Sequence, residues 1–430
     1  MSAIGKLIGP VLKQGQITFI SPDGRRETFG GGGSLGGSGA SGMALTIRLA
    51  DRKVMFDLMK NPRLGLGEAY MDGRLVIEDG TILDLLELIT SNNRWEKGGA
   101  GRKVLGRGKK RLLALFRRNP AKRSRSNVAH HYDIGNDLYR LFLDDDLQYS
   151  CAYFTDPANS LEQAQLDKKA HIAAKLALRP GMKVLDIGCG WGGTALYLHA
   201  TAGVDVLGVT LSREQLQVAR QRADEAGVAN HVKFELIDYR SLEGQFDRIV
   251  SIGMFEHVGA AHYDEFFAKC RDLLAEDGVM LLHTIGKLGK TSAPDPFTDK
   301  YIFPGYHVPS LSQMTAASEK SRLLASDVEM LRLHYALTLR HWLARAQAAR
   351  EAIVAMYDER FFRMWELYLA SAVAGFENGS MCNYQVQYIR DRRVLPFTRD
   401  YLAEAEAAYR ATQSPAPAAR GRRRKASSAA

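Results

Sequence analysis

The stretch Val184-Leu185-Asp186-Ile187-Gly188-Cys189-Gly190-Trp191-Gly192-Gly193 decides the fold. An apolar pair runs into Asp186, four glycines follow within six positions, and Thr194 to His199 continue as a helix-compatible segment. The pattern reads strand, tight turn, helix. Gly188 and Gly190 permit backbone conformations closed to other residues and let a ligand approach the main chain. Asp186 falls at the carboxyl end of the strand, where open α/β sheets bind ligands. An ordinary glycine-rich turn would carry the same letters, and Gly-x-Gly alone suits a dinucleotide or a phosphate as well.

Working outward, strands are expected at 183–187, 205–210, 233–237, 246–252 and 279–284, with helices near 194–201, 213–226 and 261–274. Strands alternating with helices predict a parallel, doubly wound α/β sheet. Asp-x-Gly-x-Gly after a strand, with no Lys-Ser/Thr for phosphates, resembles the first motif of S-adenosylmethionine-dependent methyltransferases. On that reading Asp238, ending the third strand, meets the adenine. The second strand ends in Thr210-Leu211-Ser212 without the usual acid for ribose hydroxyls, which leaves Thr210 and Gln215 as candidates. Gly253-Met254-Phe255-Glu256-His257-Val258-Gly259 and Leu281-Leu282-His283-Thr284-Ile285-Gly286 place an acid and a histidine at neighbouring strand ends. Adjacent strand ends line one crevice, so Glu256 and His283 form a candidate pair, although each alone is more often structural.

At 430 residues with 46% hydrophobic content the chain predicts two domains and a sizeable core. No secretory signal pattern and no bilayer-length apolar run is present, so a soluble or peripheral cytoplasmic protein is expected. Cys151, Cys189, Cys270 and Cys382 lack metal or disulfide spacing, as in a reducing compartment, and no metal is expected. Positive charge is localised: Lys97 to Arg125 holds 12 Lys and Arg with no acid and Arg420 to Lys425 holds 5, so against a net of +10 the remainder is −7. Such blocks are commonly solvated and disordered, which suits the C-terminal run. The connector interleaves Val104, Leu105, Leu112, Leu113, Leu115 and Phe116 with its basic residues, a pattern that suits an anionic membrane surface and equally a flexible linker. Nucleic acid is not an expected partner, because no recognised motif accompanies the basic run.

Ahead of the connector, strands at 16–20 and 27–29 flank Ser-Pro-Asp-Gly and read as a hairpin. A further strand at 44–49, a helix at 52–60 and a helix at 82–92 with Leu83, Leu86 and Ile89 or Thr90 on one face complete a small α+β unit. The organisation expected is a small domain over 1–95, a basic linker over 96–126, a catalytic domain over 127–412 and a basic tail over 413–430.

The runs HYDIGNDLY, QYSCAYF, VLDIGCGWGG, GVTLSREQ, FDRIVSIGMFEHVG, LLHTIG and YIFPGYHVPS resemble, in order and spacing, those of the cyclopropane-fatty-acyl-phospholipid synthase family. The resemblance covers about Asn127 to Arg390, and the N-terminal part resembles more weakly the small lipid-binding domain of full-length bacterial members. It implies a class I methyltransferase (Rossmann-like) sheet with a helical lid. It also implies transfer of a methylene group from S-adenosylmethionine to the cis double bond of phospholipid acyl chains. The weak alkene nucleophile would give a carbocation, which needs aromatic faces, exclusion of water and a base. Tyr149, Tyr153, Phe154, Phe255, Tyr306 and Tyr335 are candidates for those faces.

In this family the proton acceptor is bicarbonate, and motif by motif its holders here would be Cys151, Glu256, His283, Ile285 and Tyr335. The expected cofactor-binding residues are Tyr149, Ser150, Asp186, Gly188, Gly190, Gly192, Thr210, Leu211, Gln215, Asp238 and Tyr239. The late helix around Tyr368 to Phe376 lacks the cysteine of some members, so a catalytic thiol is not expected there. Anionic membrane phospholipids are the expected partners, at the inner membrane face, and a homodimer is left open. Branched-chain fatty acid synthesis, methylation of a small amine, and an idle lipid-binding protein stand as alternatives.

Overall fold

The structure, a computed structural model, describes residues 12–31, 42–97, 135–291 and 293–412. The basic connector beyond Lys97, the first four residues of the HYDIGNDLY run (131–134) and the basic tail lie outside the described residues.

The N-terminal unit is a four-stranded sheet. Strand β1 (Gln16–Ile20) pairs antiparallel with β2 (Arg26–Gly30) and parallel with β3 (Ala44–Leu49), and β4 (Leu75–Asp79) closes the order β2-β1-β3-β4. Alternation along β3 buries Leu45, Ile47 and Leu49 under the helices Arg52–Lys60, Pro62–Met71 and Ile82–Ser91. Asp51 caps the first of these, and Thr81 with Asp84 forms a capping box at the third. That third helix turns Ile82, Leu85 and Leu88 fully inward, whereas the expected row of Leu83, Leu86 and Ile89 is only partly buried. Both i, i+3 rows are apolar, and a helix in a crowded angle buries the two to different depths.

The second sheet has seven strands in the order β10-β11-β9-β8-β5-β6-β7. Its parallel part comprises β5 (Lys183–Ile187), β6 (Asp205–Thr210), β7 (Val232–Leu236), β8 (Phe246–Ile252) and β9 (Leu274–Lys287). The sheet is not wholly parallel, because β11 (Met381–Ile389) runs antiparallel to both β9 and β10 (Leu324–Met330). These two late strands escaped the sequence reading because β11 alternates Cys382, Tyr384, Val386 and Tyr388 with buried Asn383, Gln385 and Gln387, so neither face looks exposed.

One face of the sheet packs on Phe255, Tyr263, Phe266 and Phe267. The other carries the helix Leu161–Lys175 and, beyond it, the lid helices His334–Ala348 and Glu359–Glu377. The lid shares one apolar cluster with the N-terminal unit. Polar bonds reinforce that docking: Lys300 to Glu68 at 2.6 Å, Tyr70 to Glu366 at 2.6 Å and Arg360 to Asp72 at 2.8 Å. Arg340 joins Glu87 of the N-terminal unit to Glu377 of the lid. Among the described residues no helix is long and apolar enough to cross a membrane.

Gly67 fixes the closeness of this docking, since a Cβ there would stand 2.3 Å from the Phe297 ring. Gly67→Leu should therefore lower the denaturant midpoint by the equivalent of roughly 1–3 kcal/mol and expose the N-terminal unit to limited proteolysis. An unchanged midpoint would mean that the two units are not packed together here.

Candidate active site

A cleft opens at the carboxyl ends of β5, β6, β7 and β8, where a doubly wound sheet places its ligand. The turn after β5 supplies Asp186, Gly188 and Gly190 to its wall, and Gly188 and Gly190 take φ of +86° and +54°. A Cβ on Gly188 would meet Met254 at 2.9 Å, whereas one on Gly190 would enter open space in the cleft. Asp186 is 2% exposed, and burial pushes its carboxyl up to about 7.

Ten of the eleven expected cofactor-binding residues line this cleft: Tyr149, Ser150, Asp186, Gly188, Gly190, Thr210, Leu211, Gln215, Asp238 and Tyr239. Gly192 does not. It caps the helix Gly193–Ala202 at φ +83°, and its bare Cα lies against Phe234, which a Cβ would approach to 2.6 Å. Its glycine is required by packing and by left-handed backbone, not by contact with a ligand. Thr210 donates to Gln215 at 3.1 Å, so the two ribose candidates form one unit. The Asp238 carboxylate is held by Arg240, whose Nη2 donates at 2.6 Å and whose Nε donates at 2.9 Å. Because β7 lies two strands from β5, the cleft spans roughly 10 Å between Asp186 and Asp238.

Beside the cleft lies a second group. Glu256 follows β8 in a short 3-10 turn and accepts the Ile285 N–H on Oε1 at 2.6 Å. Its Oε2 is buried with no hydrogen-bond partner among the described residues. Burial pushes this carboxyl up to about 7 against the lowering effect of the Ile285 bond. His283 pairs with Ile252 across β8 and β9, is 1% exposed, and is linked through Nδ1 to the Gln385 amide at 3.0 Å. Its Nε2 is likewise buried without a hydrogen-bond partner among the described residues. Burial, aided by the nearby Lys168 and Lys175 charges, holds His283 well below the ordinary imidazole range, so it is neutral. Residues 283 and 285 share one face of β9, and the Glu256 carboxyl is bonded to the β9 backbone two residues from His283.

Cys151 is fully buried, its thiol pushed well up by burial, and it shares an apolar cluster with Tyr335 and Ile285. Tyr335 packs on Phe376 at 4.7 Å and Trp342 at 5.9 Å. None of Cys151, Glu256, His283, Ile285 and Tyr335 lines the cleft. Cys151 follows the cleft-lining Ser150 in the chain and Glu256 precedes the cleft-lining His257.

The aromatic candidates divide. Tyr149 lines the cleft, its hydroxyl lies 3.3 Å from that of Tyr368, and it stacks on Trp342 at 5.1 Å. Tyr306 neighbours Phe303, which stands 5.9 Å from Tyr368 and 5.8 Å from His257. Phe255 instead packs into the opposite face of the sheet with Tyr263 and Phe266. Tyr153 is sandwiched by His171 and His334, and Phe154 stacks on His341, so both serve packing. Cys382 also faces the far side, beside Tyr384.

Residues missed from sequence include Gln148, Trp191, Thr194, Met254, His257 and His262 in the cleft wall. His257 and Gln148 sat inside quoted motifs, so their signal was present. Lys168 had none: it lies on a helix whose buried side carries no apolar stripe to mark it.

The family model for mycolic acid cyclopropane synthetase matches residues 119–386. The cyclopropane-fatty-acyl-phospholipid synthase of Escherichia coli K12 is 39% identical over 348 residues, covering 80% of this chain and 87% of that protein. The tuberculostearic acid methyltransferase of Mycobacterium tuberculosis is 35% identical over 352 residues, covering 76% and 79%. Among solved structures, mycolic acid cyclopropane synthase CmaA1 complexed with SAH superimposes with a TM-score of 0.58 at 35% identity, over 61% of this chain and 97% of that one. With the expected motifs assembled at one sheet end, the chain belongs to the cyclopropane-fatty-acyl-phospholipid synthase family, the family that the mycolic acid cyclopropane synthetase model describes.

Proposed function

We propose that the protein cyclopropanates the cis double bonds of phospholipid acyl chains, with S-adenosylmethionine in the cleft from Asp186 to Asp238 and bicarbonate held by the Glu256 group. The observation that carries this reading is the pair of orphaned buried atoms, Glu256 Oε2 and His283 Nε2, behind a glycine-walled cleft. S-adenosylmethionine supplies, when bound, a methyl group on a sulfonium. The ten lining residues named above would hold it, and the open space beside Gly190 would admit its bulk.

Bicarbonate supplies, when bound, an acceptor for the proton that the methylated chain must lose. The donor set suits an anion. A carboxyl raised to about 7 keeps its proton below that pH, and with Oε1 already accepting from Ile285 the proton belongs on Oε2 as a donor. A neutral His283 donates from Nε2 when Gln385 fixes Nδ1 as the acceptor. The protonated Cys151 thiol is a hydrogen-bond donor and a poor nucleophile. Tyr149, Tyr368, Phe303 and Tyr335 give the developing positive charge on the acyl chain aromatic faces in a dry setting. A membrane surface is the proposed place of action: it fits the acid-free run from Lys97 to Arg125, and exposed Phe56 and Met59 on the helix Arg52–Lys60.

The product assay is gas chromatography of lipids from expressing cells before and after hydrogenation. Chains that resist hydrogenation and gain 14 mass units per double bond lost support cyclopropanation (roughly one CH2 each), and methyl-branched saturated chains overturn it.

Glu256→Gln separates protonation from packing. In the folded protein the raised carboxyl stays neutral while in the unfolded chain it ionises above its usual value, so wild-type stability falls as pH rises from about 4.5 to about 7. The variant lacks that loss and should gain a few kcal/mol relative to wild type between pH 5 and pH 7.5 in urea unfolding. It should retain affinity for S-adenosylmethionine and lose most turnover. Parallel stability curves would refute a neutral Glu256, and full activity would refute its role in proton transfer.

For the membrane, vesicles with anionic lipid should bind the protein, less so as salt rises and less again when Lys109, Lys110 and Arg111 are neutralised. Equal binding to neutral vesicles would assign the connector no such role.

A further inference from the structure

Lys168 is fully buried, yet its hydrogen-bond partners among the described residues are neutral. Its Nζ donates to Gln148 Oε1 at 2.6 Å and to Ser150 Oγ at 2.8 Å, and both residues line the cleft while Lys168 does not. The same helix holds the backbone of this segment, for Gln165 Nε2 donates to the carbonyls of Gln148 and Ser150 at 3.2 and 3.0 Å. Segment 148–150 is thus clamped twice, by backbone and by side chain.

The clamp dictates hydrogen-bond polarity. An ammonium has no lone pair, so Ser150 Oγ can only accept from Lys168, and its own proton must point elsewhere. No acceptor among the described residues takes that proton, and Ser150 borders the cleft. Gln148 is fixed in the same way: Oε1 also accepts from Thr194 at 3.4 Å, and Nε2 donates to Asp146 at 2.9 Å. Asp146 is in turn held by Lys169 and Arg222, so the amide cannot turn over to offer Oε1 to the cleft.

An oriented hydroxyl proton at the cleft wall calls for an anionic or strongly accepting group of the ligand. Asp186 lines the same cleft and, when ionised, calls for a cationic one. An α-amino acid moiety carries both. We propose that Lys168 is a positioning residue for the methyl donor, making Ser150 an obligate hydrogen-bond donor to the carboxylate of the donor's amino-acid part. This rests on the cleft being the S-adenosylmethionine site, and it adds which end of the donor lies at Ser150 and why.

The test is calorimetry on the full chain with S-adenosylmethionine and with its decarboxylated analogue. Wild type should favour the intact donor by about tenfold to a hundredfold, the range of one hydrogen bond to a charged group. Lys168→Met fills the lysine's volume without its charge. It should bring the affinity for intact donor down to that for the analogue while leaving the analogue's own affinity unchanged. Ser150→Ala should do the same with the lysine in place, and the double variant should be no weaker than either, which keeps the test valid if Lys168→Met folds poorly. Equal loss of both donors in Ser150→Ala, or a wild type indifferent to the carboxylate, would overturn the proposal. A wild type that binds neither donor would overturn the donor assignment of the cleft and the proposal with it.

Discussion

Burial of the helix Leu161–Lys175 on nearly every side is the constraint on which the rest of the structure depends. Gln165, Asp167, Lys168, Lys169, His171 and Lys175 are all less than 9% exposed, and each would be costly without a partner. Their partners therefore have to be brought to them. Gln165 and Lys168 bind the segment 148–150, Lys169 binds Asp146, Asp167 accepts from Thr155, and Lys175 meets Glu329 on β10. His171 bridges Glu329 and Glu406, tying β10 to the C-terminal helix Asp400–Ala411. One polar helix between sheet and lid thus fixes the register of the site segment, the late strand and the C-terminus together.

The same dryness sets the protonation states. Asp186 and Glu256 are raised and His283 is lowered, and in each case burial is the first cause. Lys168, for the same reason, is lowered to about 8. Near pH 7 the interior is thereby poor in fixed negative charge close to Glu256, which suits the anion proposed for that site. A cationic sulfonium in turn finds mostly apolar walls in the cleft, with Asp186 and the Asp238–Arg240 pair among the polar residues lining it.

Much of this was legible in the sequence where a local rule and the global fold agree. The strand at 183–187, its glycine turn and the strands at 205–210 and 246–252 were readable because hydrophobic run, turn residues and helix start coincide there. The reversed strand β11 was not, because its polar residues are buried by a polar helix and so break the alternation that marks a strand. Gly192 was misread for a related reason: a left-handed glycine packed against Phe234 has the same letter as one approached by a ligand. Phe255 sits one residue before Glu256 yet points to the opposite face, a fact of backbone direction that a motif does not carry. Lys168 was invisible, since a lysine on a helix is ordinarily solvated and only tertiary structure shows this one to be dry.

The lid gains its rigidity from outside the catalytic unit. Tyr139 and Phe142 pack edge-on against Tyr149, Trp342 stacks on it and Trp365 packs on Phe142, and the cluster they form continues without a break into Leu85 and Leu88 of the N-terminal unit. Close packing transmits displacement instead of absorbing it. A force on the N-terminal unit, such as docking at a bilayer, would therefore reach Tyr149 through Arg340 and the helix Glu359–Glu377 by direct contact. The N-terminal sheet thus backs the lid through a shared core, although none of its residues lines the cleft.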